Sequence, residues 1–82
     1  MNPLDRIAVA PEKLARWLDV AHGFSLGGSM LVIELTEFAN NPVRHRARRS
    51  ADAARDLAAS LRGPSKGVAE ALAAELENVS MD

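Results

Sequence analysis

Cysteine and tyrosine are missing from this chain, lysine occurs only twice, and its aromatic side chains are limited to Trp17, Phe24 and Phe38. Without cysteine there are no disulfides and no thiolate metal sites, which fits a reducing compartment. A surplus of either charge is also missing. Ten basic residues against eleven acidic ones leave a formal charge of −1, so the chain as a whole offers polyanions no bulk attraction. No long apolar run occurs. The most apolar stretch, residues 24–39, is interrupted by Glu34 and Glu37 and is too short and too charged to cross a bilayer. The opening "MNPLDRIAVAPEK" lacks the basic segment and apolar run of a signal peptide. A cytoplasmic protein with no membrane partner is expected.

What the chain has in abundance is alanine, 15 of its 82 residues. This length suits a single domain, since domains usually span about 50–200 residues. One helical domain over residues 1–82 is expected, with 1–9 and 80–82 frayed. Alanine lets helices pack closely, yet each one buries far less than a large side chain, which contributes roughly 1.5–3 kcal/mol. Small domains already lie near the stability threshold. Extra burial against a second subunit is therefore favourable, and a homo-oligomer, most simply a homodimer, is expected. Arginine outnumbers lysine eight to two beside the abundant alanine, a composition common in GC-rich bacteria and their phages.

Hydrophobic spacing predicts an all-α fold, a small bundle of about four helices at 11–22, 26–39, 42–62 and 65–79. In the first, Pro11 suits the opening turn. Leu14, Trp17, Leu18 and Ala21 share a face, while Glu12, Lys13, Arg16 and Asp19 point away, with Glu12 and Arg16 placed to pair. Trp17 is read as core. Gly23 is expected to end this helix in the left-handed conformation. The second segment reads less cleanly, because Leu31, Ile33 and Leu35 also alternate as a strand would. Its length before "NNP" favours a helix. Leu31, Leu35, Phe38 and Ala39 form one face, and Met30 and Ile33 fall on the other, so this helix is apolar almost all round.

Asn41 is expected to cap the third helix and Pro42 to open it. Val43, Ala47, Ala51, Ala54, Ala58 and Leu61 give a narrow stripe, widened by Ser50 and Leu57. Gly63-Pro64 breaks the chain and Ser65 is expected to cap the fourth helix, whose Val68, Leu72, Leu76 and Val79 line one face. The short break predicts that the last two helices form an antiparallel hairpin.

Two motifs invite a functional reading. "GFSLGG", residues 23–28, fits G-x-S-x-G and resembles the nucleophile elbow of α/β-hydrolases over about a quarter of the chain. That resemblance implies a strand running into Ser25, with an acid and then a histidine following in sequence. Here residues 11–22 carry helical periodicity instead. His45 is the only later histidine, and just Glu34 and Glu37 lie between Ser25 and it as acids. The same letters serve structure more simply: Gly23 ends a helix, Ser25 caps the next, and Gly27 and Gly28 allow close approach. His22 beside them is placed favourably against the helix dipole.

The second motif is "VRHRARRSADAAR", residues 43–55, where Arg44, Arg46, Arg48 and Arg49 crowd the start of the third helix around His45. A helix N-terminus carries partial positive charge and normally favours acids. Something else must stabilise these cations. The bland answer is intrachain acids: Asp52 and Asp56 on the same helix, Glu75 near Arg55, and Glu77 or Asp82 near Arg48. The functional answers are an acidic protein surface or a phosphate backbone. Against nucleic acid, the cluster has no aromatic to stack on bases and its first turns offer no Asn, Gln or Lys.

No cofactor motif or metal-ligand spacing is present, and His22 and His45 stand 23 residues apart. The expectation is a noncatalytic, homodimeric regulator, adaptor or inhibitor working by protein–protein contact. Arg44, Arg46, Arg48 and Arg49 would engage an acidic partner, and Met30 and Ile33 would serve the interface. Nucleic-acid binding by the arginines is the alternative, and a hydrolase-like site at Ser25 comes after it.

Overall fold

The computed structural model describes residues 5–24 and 27–81. Four helices follow in order: α1 (Pro11–His22), α2 (Ser29–Asn40), α3 (Arg44–Ser60) and α4 (Pro64–Met81). Consecutive helices pack on one another, and the α3–α4 pair makes the most extensive contact. The stretch 30–35 is helical, which resolves its strand-like alternation.

The helix starts differ from the sequence expectation, and each difference has a tertiary cause. Gly23 is not left-handed; at φ −71° and ψ −16° it simply prolongs the helical path, donating its N–H to the Asp19 and Val20 carbonyls. The left-handed residue comes four positions later. Gly27 sits at φ +81°, a conformation costly for any residue with a Cβ. Gly28 then caps α2 from a buried position where a Cβ would lie 3.0 Å from both the Ala21 carbonyl oxygen and the Phe24 Cβ. This close approach folds α2 back onto α1. The expected serine cap, Ser25, lies outside the described residues.

Before α3, neither Asn41 caps the helix nor Pro42 opens it. Val43 is the capping residue, in extended conformation at φ −120° and ψ 158° and without a side-chain cap. Two forces hold it there. Its side chain is buried, and residues expected to fray pin the backbone: Ile7 N–H donates to the Pro42 carbonyl at 2.8 Å, and Arg6 forms an antiparallel bridge with Val43. The α3–α4 turn places Gly63 at φ +66° and Pro64 as the first residue of α4, so Ser65 lies inside the helix and does not cap it. Pro64 has no N–H to leave unsatisfied there.

The core follows the periodicity. Trp17, Leu31, Leu35, Phe38, Leu57, Leu72 and Leu76 are its large members, with the Trp17 and Phe38 rings 6.4 Å apart at 48°. The stripe of α3 is buried at Val43, Ala47, Ser50, Ala51, Ala54, Leu57 and Ala58, whereas Leu61, read as its last member, follows the helix end and is only half-buried. The buried stripe meets Ala69 and Ala73 of α4. Small side chains on both helices permit close packing, and at 17 and 18 residues these are also the two longest helices, so their contact is the most extensive. Val68 departs from its expected place. It is 46% exposed, because Ala69 rather than Val68 faces α3.

Antiparallel pairing of α3 and α4 is marked along its length by Lys66 Nζ to the Ala58 carbonyl, Arg55 to Glu77, and Arg44 to the Ser80 carbonyl. No helix among the described residues is long and apolar enough to cross a membrane.

Candidate interaction surface

Arg44, Arg46, Arg48 and Arg49 leave α3 in different directions, and the structure gives each a different environment. Arg44 points toward α4, where its Nη1 donates to the Ser80 carbonyl at 2.7 Å. That carbonyl belongs to the last turn of α4, the negative end of its dipole. A cation unfavourable at the start of its own helix is thus stabilised by the end of another.

Arg46 and Arg49 point toward α2. Arg46 donates to Glu37 at 2.9 Å, and Arg49 lies 3.6 Å from Glu34, a looser contact in which the guanidinium stays largely in solvent. The carboxylates therefore come from α2, not from Asp52 and Asp56 as the same-helix spacing suggested. Arg48 remains exposed. Among the described residues, Arg48, Asp52 and Asp56 form no ion pair. The expected mate Asp82 lies outside the described residues.

The other expected pairings also change partner. Arg55 grips Glu77, not Glu75, through two hydrogen bonds of 3.0 and 2.7 Å. These bonds hold the Glu77 carboxyl below its ordinary range and push the Arg55 guanidinium further up. Glu75 instead receives Arg16 at 2.6 Å, so Arg16 leaves Glu12 and straps α1 to α4. A cross-helix mate within a folded bundle is held in place by packing. An exposed same-helix mate is held only against the loss of its side-chain entropy.

Met30 and Ile33 stand on the outer side of α2, 60% and 51% exposed. They form a short apolar ridge with a groove on either side. The groove toward α1 is lined by His22, Phe24, Gly28, Val32 and Ile33. The groove toward α3 is lined by Met30, Glu34, Arg49, Asp52, Ala53 and Asp56. The second groove brings an expected interface residue of α2 beside an expected interface residue of α3, so Met30 and Arg49 share one face. Arg44 lies on the opposite flank of α3, next to α4, and takes no part in that face. The sequence reading missed Asp52 and Asp56 as members of this surface, having assigned them to intrahelical pairs.

The hydrolase resemblance requires an extended segment entering Ser25, but α1 occupies that place and ends at His22. Ser25 lies outside the described residues. Among the described residues, no group of three or more histidines and carboxylates is positioned to hold a metal ion. No family model matches this chain, and no curated protein or solved structure matches it.

Proposed function

We propose that this chain is a noncatalytic helical interaction module that works in the cytoplasm by protein–protein contact and self-associates as a homodimer. The observation carrying the reading is the exposed ridge of Met30 and Ile33. Its helix is apolar on nearly every side, and the core faces of Leu31, Leu35 and Phe38 already use what the monomer needs. Large apolar side chains held together in water on a chain with so small a core favour burial against another surface. Of the cations Arg44, Arg46, Arg48 and Arg49, the first turns toward α4 and the second is held by Glu37, so Arg48 and Arg49 are the ones available to an acidic partner surface.

Light scattering across a concentration series tests this reading. The expected result is a mass that rises toward twice the monomer and that Ile33→Glu returns to the monomer value. A strict monomer at every concentration removes the homodimer. Nucleic-acid binding has thinner support, because Arg46 and Arg55 are closely engaged by carboxylates and Arg49 lies beside one. A steeply salt-dependent gel shift, lost when the four arginines are replaced, would put it first.

A further inference from the structure

One row on the exposed side of α3 carries His45, Arg49, Asp52 and Asp56, with Arg48, Arg55, Ala59 and Ser60 exposed beside it. The spacing within the row is four, three and four residues, which reads the same in both directions. His45 and Arg49 occupy the first half and two carboxylates the second. Laid antiparallel on a second copy of itself, this stripe sets His45 opposite Asp56 and Arg49 opposite Asp52, twice over. Arg48, one step to the side, adds a further cation near the second copy's Asp52. Isologous interfaces require this kind of self-complementary patch.

The register of α2 against α3 extends the match. Glu37 lies level with Arg46, and Glu34 with Arg49. A twofold axis passing between Arg49 and Asp52 is therefore level with Ile33 along α2. Of the two ridge residues, Met30 lines the groove toward α3 and Ile33 the groove toward α1. Met30 then lies over the groove that contains Ala53, where a long side chain has a small residue beneath it.

We propose that the acidic surface met by the arginines of α3 is the second half of α3 in another copy of this chain. The dimer is isologous and antiparallel across the α2–α3 face. This inference rests on the homodimer reading above and adds to it the face, the axis and the charge register. It explains why Arg48, Asp52 and Asp56 lack ion-pair mates among the described residues although they share one helix. A standard interface covers about 800 Å² per subunit. That is roughly one sixth of the 5015 Å² accessible here, an area that faces of two adjacent helices can supply.

Sedimentation velocity over a concentration series, with circular dichroism to confirm that each variant keeps its helices, decides the matter. Arg49→Glu and Asp52→Lys, each alone, are expected to weaken the dimer about tenfold or more, because symmetry repeats each like-charge contact. Mixing the two variants in equal amounts restores a dimer, as does combining both substitutions in one chain, since every contact then joins opposite charges. Weakened single variants without that rescue overturn the register, and so do single variants that dimerise like the wild type. If Ile33→Glu splits a dimer that both charge reversals leave intact, the interaction module stands and this register falls. A wild-type chain that is monomeric throughout removes both.

Discussion

Ser50 shows how much a single residue can hide. Its position on the buried face of α3 follows from spacing alone, and the structure buries it completely. What spacing does not reveal is that its hydroxyl finds no hydrogen-bond partner among the described residues. A buried, unsatisfied polar group costs about 1–3 kcal/mol, and alanine is also the better helix former. Ser50→Ala should therefore stabilise the fold by about 1 kcal/mol, or roughly 4–8 °C in Tm for a domain of this size. A melting curve that moves down instead would mean that the hydroxyl fills space the core needs. Arg44 teaches the converse lesson. Its place at a helix start looks unfavourable in sequence, and only the Ser80 carbonyl of α4 makes it intelligible.

Between elements, the clearest interaction is the two-bond contact of Arg55 on α3 with Glu77 on α4. The hydrogen bonds from Arg55, followed by its charge, lower the Glu77 carboxyl in the folded state. A carboxyl lowered on folding stabilises the native state above its unfolded range near pH 4.3, and that contribution disappears as pH falls through the folded value. Glu77→Gln should accordingly be less stable than wild type from neutral pH down to about pH 5, with the gap closing in more acid solution. Urea unfolding at successive pH values checks this. The gap should be small and should shrink in salt, since both side chains are over 40% exposed. A gap that persists unchanged in acid would assign the effect to packing. That these helices would form a hairpin was legible from "GP" and the short break. Which glutamate Arg55 meets was not, because a rotation of one helix about its axis changes the mate while leaving the periodicity untouched.

Across the whole molecule, a small core leaves little margin. Leu35 is fully buried in the core shared by the four helices, and removing such a side chain typically costs about 2–5 kcal/mol. Domains of this kind have only about 5–15 kcal/mol in total. Leu35→Ala should lose most of its cooperative thermal transition, read by circular dichroism at 222 nm, whereas Met30→Ala at low concentration should melt like wild type. Equal losses for the two would mean that Met30 belongs to the core after all. The four-helix count, the buried stripe of α3 and the core role of Trp17 were all readable, because each depends on which residues recur per turn. The same periodicity placed Val68 in the core, where the structure exposes it and buries Ala69 instead.

The linear order of residues was enough to set the four helices and most of the face that α1, α2 and α3 bury, since these depend on dihedral preference and on side chains a few positions apart. Folding in three dimensions decided where α2 and α3 begin, through the buried Gly28 and the arm that pins Pro42 and Val43. It also decided which acid each arginine reaches. Those outcomes depend on contacts between segments distant in sequence, where a shift of one helical turn exchanges every charged neighbour at almost no cost to the pattern of apolar residues.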